Sequence, residues 1–580
     1  MNDHATLIKS EKLELDVAIV GAGVSGLYSG WRLLSGHFEK QVGRHADHLD
    51  IGIFEMSNRI GGRLFSIRLP GMPNVISELG AKRFMAHHEI MNGLVNHLNL
   101  TSIPFSMGDK TKNLYYLRRQ RFCEDQWREP GFHSRFFIDP TYDGKHPDDL
   151  FDELVDNVLR ANNHHERPKD RRGWDVIKPT LKYYKGPDRG ARLQDIGFWN
   201  LLIDQMGHEG YELLAQASGY YSNTINWNAA EALPYVVGDF MCDNSYRTIE
   251  GGFDQIALQL CKRYQEMGGR LYAQSKLVNF DHTPSDESDC RYRLVMRDIS
   301  NPAQPQEHYI YANRIILAMP RRALELLNCD NFFFDSGHNH QLCHSLRSVS
   351  GQPAFKLIMG FYESGQSKPW WSRQRGLNCG RSITDLPMRQ CYYFGTDPEF
   401  GTSSLLASYN DMRTVGFWQS LEPPSNDCEV DGIVQEYQGV ELYQPRVIPG
   451  ITQHDIKESE SMYQYSQAPQ RMVAHALAQL KELHGLDSIP QPYTTAYKNW
   501  NHNPYGGGYH AWKACYDVAS TMPYMRQPLK NEAIHICGEA YSDQQAWVEG
   551  ALCTAEKMLQ EHFSMQWPCA WLRPTYYLGR

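Results

Sequence analysis

The 580-residue sequence predicts an α/β fold. Its core is a doubly wound sheet assembled from discontinuous segments, joined to an α+β domain and a helical subdomain. Three observations predict it. The stretch LELDVAIVGAGVSGLYSGWRLL, residues 13–34, runs from a short apolar strand through a turn with three glycines into an amphipathic helix. A comparable apolar run followed by a Gly-Glu turn and a helical pattern, AIHICGEAYSDQQAWVEGALCTAEKML, stands near the other end. Between them, DDLFDELVDNVLRANN and GFWNLLIDQMGHEGYELLAQASGYY carry 3.6-residue periodicity and read as helices.

The composition is that of an ordinary globular chain, 41% hydrophobic, 12% aromatic and 22% charged. A net charge of −9 argues against a nucleic-acid-binding surface. No run approaches 18 apolar residues, so no membrane span is expected. The N-terminus MNDHATLIKSEKLEL lacks the apolar core of a secretory signal. Thirteen cysteines without CxxC spacing read as reduced thiols, and the expected location is cytoplasmic. His87, His88, His338 and His340 have no acidic or thiol partners at metal-ligand spacing, so no metal is expected.

In the first element, Asp16–Val20 form the strand and Gly21-Ala22-Gly23-Val24-Ser25-Gly26 matches G-x-G-x-x-G. Gly21 permits the tight turn, Gly23 lets the backbone approach a pyrophosphate, and Gly26 lets helix and strand pack closely. With Ser25 in the same turn, the helix N-terminus becomes an anion site. The second strand, DIGIFEMS, ends at Glu55, an acid placed to accept hydrogen bonds from a ribose. It lies 29 residues beyond Gly26, longer than the usual ~20, and the polar segment SGHFEKQVGRHADH accounts for the surplus. Glu55 would repel a 2′-phosphate, so NADP is disfavoured.

After Glu55 the chain reads EMSNRIGGRLFS, then ISELGAKRF. The first resembles the E-x-x-x-R-x-G-G-R motif of the flavin amine oxidase family, and GEAYSDQQAWVEGAL resembles that family's closing FAD segment. The resemblance implies FAD, with Arg63 neutralising the pyrophosphate, Gly61 and Gly62 allowing close approach, and Glu539 after Gly538 bonding a ribityl hydroxyl. SYRTIEGGFDQIALQLCKRY resembles the segment that returns the chain to the FAD domain, and the Leu277 backbone would meet the adenine. The implied layout places the FAD-binding, Rossmann-like domain in 12–83, 246–322 and 526–565, and a mostly antiparallel substrate domain in 84–127 and 323–525. The helical subdomain takes 128–245 and walls the substrate entrance. The aromatic tail 566–580 lies outside the resemblance and reads as an exposed partner surface of a homo-oligomer, a dimer or larger. In YKNWNHNPYGGGYHAW, Gly508 stands where some relatives carry a flavin-tethering cysteine, with Cys515 a bystander, so FAD is expected to be non-covalent.

The substrate end of the resemblance points to the L-amino acid oxidase branch, of microbial type. ELGAKRF puts Arg83 where that branch clamps the substrate carboxylate, a match for a planar guanidinium fork; Lys82 replaces a common methionine. SITDLPMRQCYY resembles the segment that supplies a carboxylate-binding tyrosine, and strand alternation points only one of Tyr392 and Tyr393 inward. Tyr393 is the expected one. Lys356, in an apolar strand, resembles the family's lysine that holds a water near flavin N5. Trp547 resembles the aromatic residue beside the flavin face, and Ala546 would offer its carbonyl to the amine. Trp500, Tyr509 and Trp512 would complete the wall. The expected reaction is oxidative deamination of an L-amino acid by O2, with basic ones such as arginine or lysine among the candidate substrates and Asp239, Asp243 and Glu549 as candidate acids for such a side chain. The rivals on the same scaffold are an L-amino acid 2-monooxygenase and an amine or polyamine oxidase.

Overall fold

A computed structural model of the chain describes residues 12–36, 49–240, 245–301, 303–327, 330–335, 337–423 and 440–580. The strand Leu13–Val20 forms the middle of a seven-stranded sheet. It pairs in parallel with Ile51–Phe54 on one side and with Gln306–Leu317 on the other. Arg270–Tyr272 extends the sheet beyond Ile51–Phe54, and Ile534–Ile536 joins Gln306–Leu317 in parallel through Ile315 and Ile534. The other end of Gln306–Leu317 continues into an antiparallel pair, Tyr292–Asp298 and Ser275–His282. Strands this apolar suit a sheet covered on both faces.

One face is covered by the helices Val24–Leu34, Gln255–Glu266 and Val548–Phe563, whose apolar residues meet Val17, Ile19, Ile51 and Ile53 in one core. The first and last of these helices are 514 residues apart at their closest ends in sequence, yet a buried ion pair clamps them. Arg32 Nε lies 2.9 Å from Glu556 Oε2, and the Tyr28 hydroxyl donates to the same oxygen at 2.6 Å. Severing one partner of such a pair leaves a buried charge uncompensated, at a cost of about 3–5 kcal/mol.

A second seven-stranded sheet runs in the order Thr494–Asn499, Ala354–Tyr362, Thr402–Asp411, Gln390–Asp397, Arg381–Thr384, Leu114–Leu117, Gln120–Cys123. It is antiparallel except for the pairing of Arg381–Thr384 with Leu114–Leu117. Period-2 alternation divides the side chains of its middle strands between two cores. Phe355, Leu357, Met359, Tyr393 and Leu405 pack against the helix Gln470–His484, whereas Ala354, Ile358, Tyr392 and Leu406 face the first domain.

The periodic segments form the helices Pro147–Ala161 and Phe198–Ala217, the second broken at Gly207, where φ is +70°. The tail 566–580 departs from its expected exposure. Leu572 and Leu578 are buried, Tyr577 donates to Asp175 Oδ2 at 2.6 Å, and Tyr576 donates to Glu549. Because the tail packs on its own chain, its aromatic content is no sign of a partner surface. Among the described residues no helix is long and apolar enough to cross a membrane.

Candidate active site

The two sheets enclose a cavity of about 700 Å³. One wall is the glycine turn. Gly21 has a φ of +107°, and a Cβ there would come 2.6 Å from Ala318 O. At Gly26 a Cβ would lie 2.0 Å from Gly21 O, so the helix can reach the turn only without a side chain. Gly23 differs: its φ is ordinary and a Cβ would meet nothing within 4 Å. The space before Gly23 belongs to the cavity. No side chain caps the helix that follows, and its first turn carries no acid, so its N–H groups and positive dipole end are left for an anion.

Glu55 sits at the mouth of the next strand, where its Oε2 accepts from Ala22 N at 2.8 Å and its Oε1 from Ser57 N at 2.9 Å. Leu277 and Ser25 line the same end, and Gly61, Gly62 and Arg63 line the middle. Arg63 donates to Gly508 O at 3.0 Å and pairs with Glu539 Oε2 at 2.8 Å. Glu539, beside Gly538, also accepts from His510 N at 2.8 Å, His510 Nδ1 at 2.9 Å and Ala546 N at 2.9 Å. Burial opposes its ionisation, but the Arg63 charge and the His510 and Ala546 donors hold it well below the usual carboxylate range. A carboxylate has about four acceptor positions, and protein donors take them. Glu539 thus anchors the cavity wall that it lines.

At the far end lie Lys356, Tyr409, Trp500, Ala546 and Trp547. Lys356 is buried in its strand, and its Nζ donates to Glu78 O at 3.0 Å and to Gly80 O. Burial lowers its pKa to about 7. Trp500 donates to Leu79 O at 2.9 Å. Ala546 holds a φ of +71°, a costly conformation for a residue with a side chain, directly before Trp547. Trp547 immediately precedes the helix Val548–Phe563 and meets the buried His88 ring at 5.0 Å.

Two expected groups are elsewhere. Tyr393 is buried on the opposite face of its strand, its hydroxyl bonded to Ser382 Oγ and His484 Nε2, each at 2.8 Å. Tyr392 is the one turned to the cavity side, among Lys82, Tyr409 and Phe105. The expected orientation is thus reversed, because the helix Gln470–His484 sets which face of this strand is outer. Arg83 does not line the cavity. Its guanidinium stacks 3.9 Å from the Tyr246 ring centre and donates to Met107 Sδ, beside Phe105. Among the described residues, the helical segment 128–245 contributes no cavity-lining residue and approaches the site through Tyr220, which packs on Tyr409 with ring centres 5.2 Å apart and meets Tyr392. Among the candidate acids, Glu549 is consumed by the N–H groups of Ile90 and Met91 and by Tyr576. The Asp239 side chain and Asp243 lie outside the described residues.

Sequence reasoning missed Tyr409, which strand register sets opposite Lys356, and His510, which fixes Glu539. Tyr409 sits in no motif, and His510 lies in YKNWNHNPYGGGYHAW without a signal of its own. The residue that did give a signal was Lys82, an ionisable group in place of methionine.

This arrangement suits a dinucleotide laid from Leu277 past the glycine turn to Lys356. The family model for flavin-containing amine oxidoreductases matches residues 24–444. The chain belongs to that family. As a flavin-containing amine oxidoreductase it is 25% identical to aplysianin-A of Aplysia kurodai over 95% of this chain and 90% of the relative. It is 24% identical to L-amino-acid oxidase 4 of Hebeloma cylindrosporum over 93% of this chain and 80% of the relative. A putrescine oxidase double mutant shares the fold with a TM-score of 0.61 at 14% identity, covering 96% of this chain and all of that one. The residues fit the family's flavin: the open space at Gly23 and the uncapped helix beside it form the cradle a diphosphate requires.

Proposed function

We propose that the protein is an FAD-dependent L-amino acid oxidase, which converts an L-amino acid and O2 to a 2-oxo acid, ammonia and hydrogen peroxide. The observation that carries this reading is the cationic surrounding of the inner end of the cavity: Lys356 and Tyr409 form its wall, Lys82 and Tyr392 pack against Tyr409, and Arg83 stands beside Lys82 outside the lining. An amine substrate has no use for buried positive charge. A substrate with a carboxylate does. The relatives named L-amino-acid oxidases support the same reading.

When bound, FAD supplies the acceptor for the substrate's α-hydrogen and electron pair. The chain's part is to orient the substrate: Lys356 and Tyr409 face the carboxylate, with Lys82 and Arg83 adding positive charge nearby, Trp500 and Trp547 close the apolar walls, and Ala546 O receives the amine. Lys356, whose pKa burial lowers to about 7, gains charge on the cavity wall when a carboxylate binds beside it. The deciding experiment is a peroxide assay across the L- and D-amino acids with analysis of products. A 2-oxo acid with peroxide supports the oxidase; an amide with CO2 would instead assign a 2-monooxygenase, and turnover of simple amines an amine oxidase.

Two expected outcomes follow from the site. Arg83→Lys keeps the charge beside the cavity and loses only the stacking on Tyr246, so kcat/KM falls by less than about tenfold; a loss of about 100-fold or more would place Arg83 in direct contact with the substrate. FAD is held without a covalent bond, since among the described residues no cysteine lines the cavity and Gly508 packs against Ala354. Acid precipitation therefore releases the yellow colour to the supernatant, and colour retained in the pellet would contradict this.

A further inference from the structure

Lys82 is buried, and its Nζ has no hydrogen-bond partner. It sits 3.1 Å from the Tyr392 ring centre, 4.4 Å from that of Tyr409 and 6.0 Å from that of Phe105. Tyr409 lines the cavity and receives Lys356 Nζ at 4.6 Å, so the two ammonium groups share one ring. Ala81, the residue before Lys82, also lines the cavity. Arg83 and Arg381 stand close enough to add repulsion, and burial together with these charges holds the Lys82 ammonium well below the ordinary lysine range. The acid in reach is Glu78, whose carboxyl burial pushes up to about 8 and whose oxygens accept from Ser66 Oγ and Phe253 N, each at 2.8 Å.

A residue needed only for packing would not carry an amine here. Methionine has the same unbranched reach, and the rings would pack on it without desolvating an ammonium. The aromatic faces attract the cation but leave its donors unused, and the neighbouring cations oppose it. An incoming carboxylate relieves both defects, whereas a cationic side chain adds to the repulsion.

We propose that Lys82 is a specificity-determining residue that receives a second, side-chain carboxylate, making dicarboxylic L-amino acids of the aspartate and glutamate type the preferred substrates over basic ones. The proposal rests on the L-amino acid oxidase reading and names its substrate class.

The test is equilibrium binding to the holoenzyme, followed by fluorescence of the cavity tryptophans, with glutarate and butyrate as probes. Glutarate is expected to bind at least about tenfold more tightly than butyrate, the order of one charge-assisted hydrogen bond. In Lys82→Met the preference falls to within about threefold, and in Lys82→Arg, which keeps the charge, most of it remains. Equal binding of the two probes by the wild type, or a preference untouched in Lys82→Met, would overturn the proposal. In the peroxide assay, the L-glutamate to L-arginine ratio of kcat/KM is expected to exceed one and to drop about tenfold or more in Lys82→Met; a wild-type ratio below one overturns the proposal as well. If no L-amino acid yields peroxide, the oxidase reading fails, while the glutarate titration still decides whether Lys82 receives a carboxylate.

Discussion

Lys356→Met is expected to lower kcat by about 10²- to 10³-fold, the range seen when a preorganised charge or donor is removed from an active site, without destabilising the fold. The second half of the expectation separates function from architecture. Lys356 is buried, and its Nζ is held by the Glu78 and Gly80 carbonyl oxygens. Two neutral acceptors compensate poorly for the water an ammonium gives up. Methionine fills the same space and removes that desolvation, while the two carbonyls lose a donor at about 1–3 kcal/mol each. The opposing changes are of similar size, so the melting temperature stays within a few degrees of the wild type. The pH dependence adds a sign. Burial holds the folded-state pKa of Lys356 down at about 7, below its unfolded value. Between those two values the unfolded chain carries more protons, so wild-type stability rises with pH across the window. Lys356→Met shows less of this rise. A variant that loses activity only in proportion to lost folded protein would assign Lys356 a structural role.

The second large effect separates two glycines of one motif. Gly23→Ala leaves the apoprotein as stable as the wild type, because φ there is −72° and the added methyl meets no protein atom within 4 Å. The methyl instead enters the space before the uncapped helix end, where the diphosphate is to lie. Overpacking of about 2–3 kcal/mol corresponds to roughly 30- to 150-fold weaker flavin binding. Gly26→Ala differs, since its Cβ would lie 2.0 Å from Gly21 O, a backbone atom that cannot yield cheaply. Both apoprotein stability and flavin content are expected to fall, the first by several kcal/mol. Thermal melts of the apoproteins and flavin titrations check the pair. Equal loss of apoprotein stability in both variants would mean that the Gly23 space is structural and not a ligand's.

The motif that positions these glycines was legible because strand, turn and helix lie within residues 13–34 and obey local rules. The partners Arg63 and Glu539 were legible as residues but not in their bonding. Their ion pair, and the capture of Glu539 by His510, join segments that meet only after Ile534–Ile536 has docked on Gln306–Leu317. The alternation of Tyr392 and Tyr393 was equally plain, while its phase was not. Period 2 says that neighbours oppose each other; which one is inner depends on where the helix Gln470–His484 settles. Bulges between Gln390 and Tyr392 and between Tyr393 and Gly395 shift the register further.

By itself the sequence determined the glycine turn and the acid at the end of the second strand, since those depend on backbone sterics and short-range periodicity, while the segments that complete the first sheet were legible through their resemblance to the family's motifs. Tertiary structure alone decided which tyrosine faces the cavity, that Glu549 secures a helix and the C-terminal tail, and that Lys82 is enclosed by rings beside Lys356. Those outcomes depend on which distant surfaces pack together and on how burial changes the energy of a charge, and neither is encoded in the spacing of residues along the chain.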